Sequence, residues 1–484
     1  MKGRLALLLL IVGIPAYALW HSRFGVPEEF AGEEHFKYGS IGSDNLTGGL
    51  PYWIWKALPD MFPQYLPQIG ERGYEAFGLI VESGKDRPIG FSKRTIWKSL
   101  VFVGPNCAFC HVSTLRRSAD RPPEIIVGMP ANTVDIKKFF QFLFYSAKDP
   151  NFTVSNVMNS IDKLNPDMGF IQRAVYPIVI YFYRKKVLDL AMQYDFLESM
   201  PEFGPGRVET WTPYKRAVVD PPLPVSQAGI ADYPSLWNQQ LRMKRRDGKP
   251  MQLHWDGNND VLLERNIISA LGVSGKQSMD LPRVKLITEF IMNLRPPNYE
   301  EKIPENTGEF RISRELAEKG QSIYREQCAA CHGPDGARVG QVEPVTTIGT
   351  DRSRVDAFTM ELADALNRLE GDGWSLRNFK KTDGYANAPL DGIWLRAPYL
   401  HNGSVPTLRD LLKTPDERPR TFYRGNDVYD WVNVGFKADV SEQGGRKFFR
   451  YDTAAQGSGN GGHLYGTDLS DDQKNALVEY LKTL

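Results

Sequence analysis

Cys107-Ala-Phe-Cys110-His111 and Cys328-Ala-Ala-Cys331-His332 decide how this chain is read, because between them they use all four of its cysteines. Cys-x-x-Cys-His is the attachment signature of c-type haem. Two thiols add to the haem vinyl groups, the spacer sets their separation, and the adjacent histidine turns back to the iron as proximal ligand. A zinc site would want further Cys or His ligands at matching spacing. A thioredoxin-like redox pair needs no histidine directly behind it, and disulfides would leave both trailing histidines without a role. The chain is therefore expected to carry two covalently attached haem c groups, with iron held by His111 and His332.

The 484 residues can build two or three cores, and 42% hydrophobic content fits a globular protein. A net charge of +1 leaves no electrostatic footprint for nucleic acid. The expected partners are a small redox protein or other electron donor or acceptor, a small molecule, or a membrane surface. Residues 1–20 join a short basic start to an apolar run, Leu5 to Trp20, with Ala16-Tyr17-Ala18 as an acceptable cleavage site. The run is shorter than the ~20 residues that comfortably span a bilayer, though a tilted segment could still anchor. Signal peptide and membrane anchor both stay open. Either places the folded part in the periplasm or on the extracytoplasmic face of the membrane, where covalent haem attachment is completed.

Prolines, charges and a glycine between Arg295 and Gly308 read as a linker, 295–309. It separates an N-terminal haem module, 35–294, from a C-terminal cytochrome c domain, 310–484. In the second module Ile312 to Gln327 is helical in pattern and delivers the chain into the haem motif. Ser470-Asp-Asp-Gln473 is a capping box opening a last helix, and Gly320 is placed for the two to cross. The first module closes with Leu281 to Leu294 in helical register. It also carries an amphipathic helix, Ile136 to Phe144, behind Asn132-Thr133 as N-cap, and an apolar stretch, Ala174 to Tyr183, read as a core helix. The expected fold is mainly α: two cytochrome c-like haem modules, the first enlarged by long insertions. Extra cover over one haem is what an enzyme pocket requires and a simple carrier does not.

Function turns on the iron face opposite each proximal histidine, because a strong sixth ligand favours electron transfer and an open site binds peroxide or oxygen. No methionine follows Met360, so the second haem lacks the usual partner. His463, in Gly461-Gly-His463-Leu before the last helix, stands in that place, with His401 its rival. For the first haem, Met279 and His254 are candidate sixth ligands. The alternative is an open or water-bound iron lined by His254, Glu264 and Asn266, groups able to move a proton between peroxide oxygens.

His254-Trp255-Asp256-Gly257 between the motifs, and Leu395-Arg396-Ala-Pro-Tyr-Leu-His401-Asn-Gly-Ser404 after the second, resemble the bacterial di-haem cytochrome c peroxidase superfamily. That superfamily includes the di-haem enzyme that matures methylamine dehydrogenase, and the rubber oxygenases. The resemblance runs from about His35 onward. The bis-histidine option and the Arg-Ala-Pro-Tyr-x-His-Asn-Gly-Ser wording look closest to the rubber-oxygenase side. It implies an N-terminal haem reactive toward hydrogen peroxide or oxygen, a C-terminal haem that holds or relays electrons, and Trp255 as the carrier between them. His401 would then be a conduit or hydrogen-bonding residue near the second haem. Arg207 and Arg396 would pair with haem propionates, since guanidinium matches carboxylate geometry. The missing methionine, and Leu253-His254 in place of the common Leu-Phe, depart from the peroxidase pattern. The expected function is a peroxidase-like di-haem oxidoreductase. A pure carrier with two six-coordinate haems, or an oxygenase cleaving an apolar substrate, is the alternative.

Overall fold

The second haem motif arrives on a helix. Ser313 caps Arg314–Gln327 by accepting from the Leu316 amide, and the chain runs on into the Ala329–His332 turn. Ser470 and Gln473 form the expected capping box at the start of Asp471–Leu481. The two helices touch at Gly320, where a Cβ would overlap the Ala476 carbonyl.

The first motif arrives on a strand. Phe91–Ile96 and Leu100–Pro105 pair antiparallel, flanked by Val26–Pro27 and Leu50–Pro51, in a four-stranded sheet. From Pro105 the chain passes through Asn106 and Cys107 into the Ala108–His111 turn. The computed structural model describes residues 25–67, 70–96, 100–305 and 307–484, so the signal peptide or anchor expected at 1–20 lies outside the described residues. Helix makes up 39% of it and strand 14%, the strands in short antiparallel ladders that the mainly helical expectation did not include.

Ile136–Lys148 forms as expected but is capped by Asp135, which accepts from the Lys138 amide. The expected caps are spent on distant contacts: Asn132 Nδ2 donates to Ala397 O at 2.9 Å and Thr133 Oγ1 to Gly78 O at 2.9 Å. Ala174 to Tyr183 lies within a longer helix, Phe170–Gln193, and is half-buried. Tyr176, Ile180 and Tyr183 turn inward, while Ile178, Tyr181 and Phe182 are 59%, 64% and 61% exposed. The closing helix is Leu281–Met292, with Val284, Ile287 and Ile291 buried. Among the described residues no helix is long and apolar enough to cross a membrane.

The cores interlock along the chain. An aromatic cluster around Trp55, Phe77, Phe139 and Phe142 is built from residues before position 234. A second joins Ile267, Leu271 and Val284 to Phe358, Leu362 and Leu366, and a third joins Ile126 and Trp237 to Trp394 and Leu477. Within 295–309, Tyr299 is 2% exposed and meets Trp394 and Trp431 edge-on. Residues on both sides of that stretch thus share cores, and the two haem motifs are held in one packed body. Gly320→Ala tests the helix crossing. Alanine would normally favour a helix by about 1 kcal/mol, whereas overlap at this contact should cost about 1–3 kcal/mol. The expected result is a lower urea midpoint by far-UV circular dichroism, and a raised midpoint would contradict the contact.

Two candidate haem cavities

Cys107, Cys110 and His111 open on a cavity of about 220 Å³ walled by Phe140, Tyr194, Phe196, Leu197 and Val284 among others. His111 Nδ1 lies 2.9 Å from the Pro234 carbonyl oxygen. A carbonyl only accepts, so Nδ1 carries the proton and Nε2 keeps its lone pair, as a metal-ligating imidazole requires. Burial, then the Arg265 charge, holds this imidazole down to about 3, so it is neutral at physiological pH. Burial pushes the Cys107 thiol up to about 11 and Cys110 to about 12. These are not activated thiolates.

On the same cavity, Trp211–Pro213 passes into a π-helical turn, Tyr214–Val218, a device frequent at functional sites. Trp211 is 1% exposed, its indole N–H has no hydrogen-bond partner, and the Arg354 guanidinium sits 4.9 Å over its ring. His254 takes a left-handed backbone (φ +60°) and packs edge-on to Trp211. Its Nδ1 donates to Asn258 Oδ1 at 2.6 Å, and Asn258 Nδ2 in turn donates to Asp256 Oδ2. Burial holds His254 down to about 3.

Cys328, Cys331 and His332 open on a second cavity of about 200 Å³ lined by Leu400, Leu408, Leu411, Leu412, Leu477 and Leu481 among others. His332 Nδ1 lies 2.7 Å from the Ala388 carbonyl oxygen, repeating the first arrangement. Facing it is His463, with ring centroids 6.3 Å apart. Two imidazoles sharing one metal at ~2 Å from each ligating nitrogen would stand about that far apart. His463 is also left-handed (φ +48°). Its loop is fixed by Arg418, which donates to the carbonyls of Asn460, Gly462 and His463 at 2.6, 2.8 and 3.1 Å. Burial, then His332, holds His463 down to about 4. His401 lines this cavity too, but its Nε2 is 2.9 Å from Tyr385 Oη and the two rings stack at 4.0 Å.

One residue, Trp255, lines both cavities. Its indole N–H donates to Asp232 O at 2.8 Å, and its own carbonyl accepts from the Ala386 amide at 2.8 Å. Two residues further along each of those segments are Pro234 and Ala388, whose carbonyls hold the two proximal histidines. His111 and His332 are thereby connected through Trp255 by hydrogen bonds and short runs of backbone.

The residues chosen from sequence divide accordingly. His111, His254 and Asn266 line the first cavity, His332, His401, His463 and Arg396 the second, and Trp255 both. Glu264 lines neither: it accepts from the amides of Arg377 and Asn378 and from the side-chain amides of Asn378 and Asn259. Met279 packs into the core instead. Arg207 is 1% exposed, donates to Phe203 O, Ser458 Oγ and Gly457 O, and lines neither cavity. Arg265, Trp211, Arg354 and Arg418 were missed. Arg265 was findable, because Arg265, Ile268, Ser269 and Gly272 recur at helical spacing along Leu262–Ser274 and all line the first cavity.

The cavities fit covalent haem. Each presents two cysteines outside any disulfide and a proton-oriented histidine on one short turn. Among the described residues no three His, Cys, Asp or Glu side chains gather as a rival metal cluster. For the second motif, comparison with known proteins agrees. Residues 315–380 match the family model "Cytochrome C oxidase, cbb3-type, subunit III", and residues 384–423 match "RoxA-like, cytochrome c-like". Two uncharacterized proteins of Sinorhizobium fredii (strain NBRC 101917 / NGR234) are similar. To y4iM the chain is 31% identical over 302 residues, which span 53% of this chain and 65% of that protein. To y4iJ it is 25% identical, spanning 85% of this chain and 84% of that one. The C-terminal part is cytochrome c-like, which carries covalently bound haem and electron transfer with it.

Glu264→Ala separates support from chemistry. It leaves four donors unsatisfied and should cost on the order of 2–3 kcal/mol in urea unfolding, with the haem absorption spectrum unchanged. A spectral shift without loss of stability would return Glu264 to the cavity.

Proposed function

We propose that the chain is a periplasmic, or membrane-anchored extracytoplasmic, di-haem oxidoreductase. In this reading the haem of the first cavity reacts with hydrogen peroxide or oxygen, and that of the second stores and relays single electrons from a small redox protein. The observation that carries the reading is two unequal cavities joined by Trp255. His463 faces His332 across the second, while in the first the ring against His111 is Tyr233 and His254 packs instead on Trp211 and Phe379, and among the described residues no methionine lines that cavity.

A haem supplies one-electron redox chemistry when bound, and reactivity toward peroxide or oxygen where its iron keeps an open face. The protein does the rest. Cys107 and Cys110, and Cys328 and Cys331, tether the two groups. His111 and His332 serve as proximal ligands, and His463 closes the second site. His254 stays neutral because it is buried, so its Nε2 offers a lone pair to a proton released in the first cavity. Trp255, its N–H held by Asp232, offers an aromatic stepping stone between the cavities. His401, stacked on Tyr385, extends the aromatic wall on the far side of Trp255.

An oxygenase acting on an apolar substrate is the second reading. It is favoured by the first cavity's walls of Phe140, Tyr194, Phe196 and Leu197, together with the RoxA-like match. Oxygen uptake that depends on an added alkene would select it over peroxide turnover.

The test is to mix oxidised and half-reduced protein with hydrogen peroxide and, separately, with oxygen. A high-spin component should react, and electrons should then leave the second haem. In Trp255→Phe the first reaction should persist while the second slows. Two haems that ignore both oxidants in both states would overturn the reading. His463→Ala should convert the second haem from low to high spin, and an unaltered low-spin spectrum would remove His463 as ligand.

A further inference from the structure

Between the two large cavities lies a third, of about 100 Å³, that the proposed function leaves without a task. Its walls include Pro234 and Ala388, which hold the proximal histidines, and three largely buried guanidiniums, Arg242, Arg265 and Arg396. Arg265 is shared with the first cavity and Arg396 with the second.

The charges around this space do not balance. Asp391 pairs with Arg242 at 3.5 Å and with Arg396 at 3.0 Å. The carboxylate on the cavity wall, Asp232, is engaged by Arg424 at 3.0 Å and by Arg207 at 4.0 Å. Five guanidiniums therefore share two carboxylates. Arg265, 7% exposed, donates to the neutral amide oxygen of Gln239, and Arg396 Nε is buried without an acceptor. Burial, with Arg242 close by, holds Arg265 down to about 10. A buried cation without a counter-charge is costly, and the cost falls when a carboxylate enters.

We propose that this cavity takes one propionate carboxylate from each haem, that of the first against Arg265 and that of the second against Arg396. The inference rests on the two-haem reading. A guanidinium fork matches a carboxylate in shape as well as charge, and each arginine already borders the cavity its haem would fill. The site replaces Arg207, expected from sequence, with Arg265. A cation held beside a haem disfavours the more positive ferric state, so each arginine should raise the midpoint of its own haem.

The experiment is a spectroelectrochemical titration of intact holoprotein whose haem content has been counted by mass. Arg265→Gln should lower the midpoint of the first haem more than the second, and Arg396→Gln the reverse. Arg265→Lys, which keeps the charge but loses the fork, should keep a midpoint near the original yet shift the propionate bending band in resonance Raman spectra. That variant keeps the test alive if Arg265→Gln does not fold. Two haems per chain with midpoints and propionate bands unmoved would overturn this inference alone. A single haem per chain would overturn the two-haem reading and this inference with it.

Discussion

Two backbone carbonyls, those of Pro234 and Ala388, set the orientation on which the rest of the molecule depends. Each accepts the Nδ1 proton of a motif histidine and leaves Nε2 with its lone pair free. Each also belongs to a segment that grips Trp255 two residues earlier, through Asp232 O or the Ala386 amide. The tautomer of both imidazoles and the position of the tryptophan between them are one construction. Shifting either segment would misalign a proximal ligand and break the link at once.

Around that construction the linings of the two cavities differ, and the proposed division of labour rests on that difference. The second site is lined by leucines, with His463 fixed opposite His332 by the carbonyl contacts of Arg418. The first is lined by aromatic rings, a π-helical turn, an indole N–H without a partner and a neutral buried histidine. A rigid six-coordinate centre stores an electron with little rearrangement, whereas a centre with an open face can do chemistry. The guanidiniums between them add a charge field common to both.

Much of this was legible in the sequence, for a physical reason: covalent attachment needs fixed spacing. Cys107 to His111 and Cys328 to His332 announce themselves, and elimination of methionines leads to His463. The helices at Arg314–Gln327 and Asp471–Leu481 show through their caps and period. The strand that delivers the first motif did not show, because Leu100–Pro105 is a short apolar run that reads as a strand only against its partner Phe91–Ile96. Glu264 and Arg265 illustrate the limit. They are neighbours on one helix, yet a turn of about 100° per residue sends one carboxylate to four donors and the neighbouring guanidinium to the first cavity. Arg207 was a sound choice by chemistry, but contacts with Gly457 and Ser458, some 250 positions along the chain, claim it.

The central claim is that two covalent haems sit in unequal sites. The most direct measurement is the electron paramagnetic resonance spectrum of the fully oxidised protein, set against its haem count. The account predicts two haems per chain, one low-spin with two imidazole ligands and one with a high-spin component in equal amount. A single haem, or two haems with one indistinguishable low-spin signal that hydrogen peroxide leaves unchanged, would contradict it.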